Sequence, residues 1–130
     1  MSEEDVEFLD LDDVLRIASN LLGDDPPVRD IGLLAAAIAR PQTSVGGQDA
    51  YPTLIEKAAA LLQSVVINHA LVDGNKRLGW ATTAVFLHIN DVDVLSISND
   101  SVYQLVMHVA SENPSLEDIA SSLRFLIGRN

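Results

Sequence analysis

Reactive side-chain types concentrate in one nine-residue stretch, His69-Ala70-Leu71-Val72-Asp73-Gly74-Asn75-Lys76-Arg77. It holds an imidazole, a carboxylate, a carboxamide and two cations, with a glycine among them. A neutral imidazole can take a proton from an attacking hydroxyl. A carboxylate beside bound phosphates can ligate Mg²⁺ through oxygen. Gly74, Asn75 and Lys76 stand where a helix is expected to begin, and the first turn of a helix has N–H groups without internal acceptors. The helix dipole adds partial positive charge at that end, which therefore suits an anion. Gly74 lets the anion approach the main chain. Asn75 offers an amide donor, Lys76 a point charge, and Arg77 a planar fork matched to phosphate oxygens. Base, metal carboxylate and phosphate cradle together make a phosphotransferase-like set.

Each of these residues also has a purely structural use. His69 can be a satisfied core or capping histidine, Asp73 an ordinary N-cap, and Gly74 the hinge of a tight turn. Lys76 and Arg77 can be solvated charges, although a cation in the first helical turn opposes the dipole. The residue types alone leave both readings open. They do exclude two familiar phosphate-binding devices: there is no G-x-x-x-x-G-K-[ST] loop, and no protein-kinase glycine-rich loop or catalytic-loop signature.

The charge balance makes the cation pair stand out. Nineteen acids against eight bases give a net charge of −11 and a pI near 4.3. The bases are Arg16, Arg29, Arg40, Lys57, Lys76, Arg77, Arg124 and Arg129, and only Lys76 and Arg77 are adjacent. Without a broad basic face, direct nucleic-acid binding through phosphate neutralisation is not expected. The chain has no cysteine, which rules out a thiol nucleophile, a disulfide framework and Cys-ligated zinc or iron–sulfur sites. Seven acids fall within the first 13 residues, the opposite of a secretory or transit leader. No apolar run reaches the length of a membrane span, so the expected location is the cytoplasm.

The elements that must position the stretch follow from periodicity. A length of 130 residues with 48% hydrophobic content predicts one globular domain. Residues 1–9 read as a frayed acidic lead-in, and the domain spans 10–128. Leu11, Val14, Leu15, Ala18, Leu21 and Leu22 recur at helical spacing until Gly23. After the Pro26-Pro27 loop a second helix runs from about Asp30 to Arg40, stopped by Pro41. Residues 41–52 carry Gly46-Gly47 and no helical period, which predicts a surface loop or short hairpin. Thr53 with Glu56 forms a capping-box pattern for a third helix to His69. Leu54, Ala58, Leu61, Leu62, Val65 and His69 share a sector of about 100°, so His69 is expected to face inward. The fourth helix, about Gly74 to Asn90, is apolar nearly all round and should be central. Residues 91–97 alternate as an extended segment would. Two further helices, about 99–112 and 115–128, complete an all-α bundle of five to six helices.

The stretch at 69–77 resembles the signature of the Fic/Doc family, H-x-F-x-[D/E]-G-N-[G/K]-R, through His69, Asp73, Gly74, Asn75, Lys76 and Arg77. Arg40-Pro41-Gln42, Gly46-Gly47 and Tyr51-Pro52 resemble the flap segment of the Doc branch, and so does the run from Glu56 to Leu61. The similarity covers about residues 9–128. It implies a Fic-type helical core with a flap that offers its edge to a target polypeptide. His69 would be the general base and Asp73 the Mg²⁺ ligand. Gly74, Asn75 and Lys76 would form the anion hole, with Asn75 and Arg77 gripping the phosphates of ATP. Most relatives transfer AMP. The Doc branch instead transfers the γ-phosphate to a threonine of elongation factor Tu and so halts translation. Lys76, where AMP-transferring relatives usually carry a second glycine, points to the second activity. No [S/T]-x-x-x-E-[G/N] inhibitory motif is present, which implies restraint by a separate, Phd-like antitoxin. Ala70-Leu71 departs from the usual Pro-Phe, and Leu78 replaces a common threonine. The alternatives are an AMP transferase and a catalytically weak antitoxin-binding module.

Overall fold

Side-chain caps decide where five of the six helices start. In the computed structural model, which describes residues 5–128, the helices are α1 (Leu11–Leu22), α2 (Ile31–Ala39), α3 (Leu54–Asn68), α4 (Asn75–Ile89), α5 (Asn99–Glu112) and α6 (Leu116–Ile127). Asp10, Asp30, Thr53, Ser98 and Ser115 each accept a hydrogen bond from the N–H three residues on, satisfying a donor that the helix itself leaves free. Thr53 and Glu56 close the expected capping box, with Glu56 N donating to Thr53 Oγ1 at 3.1 Å and Thr53 N to Glu56 Oε1 at 3.3 Å. Gly23 and Gly128 end α1 and α6 at positive φ. The all-α expectation holds, down to the helix count.

Between α2 and α3 lies the only sheet among the described residues, a hairpin of β1 (Ser44–Val45) and β2 (Gln48–Asp49). Ser44 pairs with Asp49 and Val45 with Gln48. Gly46 and Gly47 have φ of 59° and 81°, the left-handed pair that a two-residue hairpin turn needs. Residues 42–50 are all exposed.

The core forms around α3, which carries ten buried positions from Ile55 to Val66 and packs against α2, α4, α5 and α6. Helix α3 approaches α4 tightly at Gly79, where an added Cβ would stand 2.6 Å from Val66 Cγ2. Gly79→Val should therefore lower stability by about 1–3 kcal/mol through overpacking. Urea unfolding checks this, and adding Val66→Ala should recover part of the loss.

Two expectations need correction. Residues 91–97 form turns and no strand. Val92, Val94 and Ile97 are buried while Leu95 is exposed, so the alternation is real. Asp93 instead closes a local turn, accepting from Leu95 N at 2.9 Å, and among the described residues the segment pairs with no strand. The expected fraying also fails over Val6–Leu9. Phe8 stacks on Phe86 with ring centres 6.0 Å apart, Leu9 is buried, and Glu7 exchanges two hydrogen bonds with Asn90. Residues 1–4 lie outside the described part. Among the described residues no helix is long and apolar enough to cross a membrane.

Candidate active site

The exception to the capping rule is α4. Its N-cap is Gly74, at φ 92° and ψ 10°, with no side-chain cap. The nearest carboxylate, Asp73, turns Oδ1 back onto Gly74 N at 2.9 Å. Leu78 N is the first amide of the helix to find a main-chain acceptor, Gly74 O at 2.9 Å. Among the described residues none accepts from the N–H groups of Asn75, Lys76 and Arg77. Three adjacent donors thus stand open at the positive end of a 15-residue helix, the arrangement that receives anions. Lys76 and Arg77 are exposed beside them.

Gly74 is favoured here by its backbone conformation. Its φ lies in the left-handed region. An added Cβ would also meet Leu22 Cδ1 at 2.9 Å and Cδ2 at 3.0 Å, so the end of α1 lies against the start of α4. Arg77 ties the same two elements, donating through Nη2 to Leu21 O at 3.1 Å.

The connection between α3 and α4 is held from both sides. Ala70 and Leu71 are each 2% exposed, so Leu71 anchors the loop in the core although it is smaller than a phenylalanine. Asn75 closes a reciprocal pair with the same residue. Its Oδ1 accepts from Leu71 N and its Nδ2 donates to Leu71 O, both at 3.0 Å. The segment before α2 completes the frame: Arg29 N and Asp30 N donate to Ala70 O at 2.8 and 3.0 Å, and Val72 N donates to Pro27 O at 2.8 Å. The Arg29 guanidinium donates to the main-chain oxygen of His69.

His69 does not face inward as the helical period predicts. α3 ends at Asn68, and His69 is its C-cap in the left-handed conformation, φ 53° and ψ 45°. The turn swings the side chain off the apolar face, and the residue is exposed. The period stops applying where the helix stops. No hydrogen bond engages the imidazole among the described residues, so both ring nitrogens are available.

The structure thus brings His69, Asp73, Gly74, Asn75, Lys76 and Arg77 onto one loop and one helix start. Asn75 has a second task that spacing alone does not reveal, since its side chain locks the loop. A cleft of about 380 Å³ opens beside Lys76 and Arg77, walled by Trp80, Val102, Tyr103, Val106 and Met107. Three further cations take contacts that sequence reasoning did not assign: Arg29 at the His69 carbonyl, and Arg40 and Lys57, both within the stretches that carry the resemblance, at the hairpin. Lys57 had a signal. It falls between Leu54 and Leu61 on the apolar stripe of α3, where a lysine is out of place.

Comparison with known proteins agrees with this architecture. A family model described as the Fic/DOC family matches residues 8–87, a span that includes the hairpin and the whole 69–77 stretch. A protein of Mycolicibacterium smegmatis named "Toxin Doc" is 52% identical over 118 residues, covering 90% of this chain and 91% of that protein.

Proposed function

Because this chain belongs to the Fic/DOC family, we propose that it transfers the γ-phosphate of ATP to a hydroxyl of elongation factor Tu or a close counterpart, and so acts as a toxin on translation. The observation that carries the reading is the open first turn of α4. The other five helices spend a side chain on their N-terminal donors, whereas among the described residues α4 leaves those of Asn75, Lys76 and Arg77 without an acceptor, beside two exposed cations.

In this reading the phosphates lie on those three N–H groups, with Lys76 and the outer edge of Arg77 neutralising their charge. The adjacent cleft takes the base, since Trp80 and Tyr103 supply flat apolar surface. Asp73 fits a magnesium ligand. Its carboxylate is exposed and only Oδ1 is engaged, and Mg²⁺ bound with nucleotide needs just one or two protein carboxylates. The ion, when bound, neutralises charge on the phosphates. His69 accepts the proton of the target hydroxyl as its oxygen bonds to the γ-phosphorus. The bond from that phosphorus to the β–γ bridging oxygen breaks, and ADP leaves. The exposed hairpin offers an edge on which an extended segment of the target can pair. The absence of a built-in inhibitory motif, with the name of the relative, supports control by a Phd-like antitoxin in the cytoplasm.

The test is incubation with elongation factor Tu and ATP labelled at either the α or the γ phosphorus. Label from the γ position should reach the factor. Movement of α label would replace the proposal with AMP transfer. Failure of both, with antitoxin binding intact, would leave only a binding module. Lys76 supplies the sharper check. Its long side chain crowds the helix start, so Lys76→Gly should shift the balance towards α transfer, and unchanged γ transfer would remove Lys76 from the explanation.

A further inference from the structure

The hairpin has no packing of its own. Every residue from 42 to 50 is exposed, and each strand contributes two residues. Apolar burial therefore cannot fix where it points, and polar ties at its root must do so. The strongest originates in α3. Lys57 is 1% exposed, its Nζ bonds Asp49 Oδ2 of β2 at 3.1 Å, and it also donates to the main-chain oxygen of Tyr51. Arg40 grips the same segment from the other side. Its guanidinium lies 5.3 Å from the centre of the Tyr51 ring, and Nε donates to the Tyr51 hydroxyl at 2.9 Å.

A buried lysine is a costly way to fill a core site. An apolar side chain of similar volume would avoid the desolvation of the ammonium, and α3 fills the neighbouring positions with Ala58, Ala59 and Ala60. What the ammonium adds is a directed bond to a half-exposed carboxylate on a hairpin that buries no residue of its own. The place it controls is relevant to the reaction: Thr43, at the root of β1, and Asn68, which precedes His69, line one cavity of about 460 Å³. The root of the hairpin and the end of α3 that carries the imidazole thus share a boundary.

We propose that Lys57 is a positioning residue for acceptor binding, holding the hairpin through Asp49 and Tyr51 so that its open edge presents the target hydroxyl to His69. The inference rests on the functional reading above, and its test separates the two. Asp49→Ala removes the half-exposed partner and Lys57→Met removes the charge while keeping the bulk, with Asp49→Glu as the conservative restoration. Two quantities are measured on the full chain. One is hydrogen exchange at Ala50 N, which donates to Thr43 O at 2.8 Å and closes the hairpin. The other is the pair of KM values, for elongation factor Tu and for ATP.

Asp49→Ala and Lys57→Met should speed exchange at Ala50 and raise the KM for the factor by roughly ten- to a hundred-fold, the scale of a misplaced reactant. The KM for ATP should stay unchanged, and Asp49→Glu should recover most of the loss. Faster exchange with an unchanged KM for the factor would overturn the positioning role. Unchanged exchange would overturn the clamp itself, whether or not the wild type labels the factor. A wild-type protein that labels nothing would instead bring down the reading of function.

Discussion

His69→Ala should abolish measurable transfer to the target, a fall of about two to four orders of magnitude if the imidazole acts as general base, while the protein remains folded. The side chain is exposed and makes no hydrogen bond among the described residues, so its loss opens no cavity and strands no buried partner. The backbone needs separate treatment. Position 69 holds φ 53°, and histidine tolerates that region better than alanine does. His69→Gly removes the conformational cost altogether and should be the more stable of the two variants by about 1 kcal/mol. Both should be equally inactive. Transfer assays with γ-labelled ATP, paired with urea unfolding of the two variants, check this. Activity surviving in either variant would remove the imidazole from the reaction.

The fate of His69 also marks what could be read in the sequence. Helical spacing gave the correct helices because five N-caps, two terminal glycines and the Thr53–Glu56 capping box all agree with the apolar period, and such agreement leaves little choice of fold. It placed Leu54, Ala58, Leu61, Leu62 and Val65 inward, and the structure puts four of them in the core and Leu54 against it. It failed four residues after Val65, at His69. Whether a helix continues through its last apolar-phase residue or turns left-handed there depends on what holds the next segment. Here that is the set of bonds from Arg29, Asp30 and Asn75 to residues 69–71. Those partners lie up to forty residues away in sequence, beyond the reach of any local pattern. The uncapped start of α4 was legible for the converse reason. Gly74, Asn75, Lys76 and Arg77 lie side by side, and an uncapped helix start is a local property. Lys57 falls between these cases: its position on the apolar stripe is visible, but its partner across the hairpin is not.

Asn75 allows the loop and the proposed phosphate site to be separated by experiment. Replacing it with aspartate keeps the shape and reverses the electrostatics at one atom. The bond from Leu71 N becomes charge-assisted and stronger, and an acid in the first turn gains about 0.3–1 kcal/mol from the dipole. Against this, the former Nδ2 position becomes an oxygen facing Leu71 O, so the net change in stability should stay within about 1 kcal/mol. For a bound triphosphate the balance is different. A like charge about 4 Å away costs about 4 kcal/mol at an effective dielectric near 20. After screening by water and salt, affinity for ATP should fall by about a hundred-fold. Asn75→Ala should behave in the opposite sense. It leaves the buried Leu71 N–H without its acceptor and costs about 1–3 kcal/mol of stability, yet it adds no charge and should weaken nucleotide binding less. Trp80 is the single tryptophan and lines the adjacent cleft, so its fluorescence should report titration with a non-hydrolysable ATP analogue. Asn75→Asp folded and unable to bind, beside Asn75→Ala less stable but still binding, is the crossed pattern expected of a phosphate site built on the start of α4. Equal affinities in the wild type and Asn75→Asp would show that the phosphates lie elsewhere.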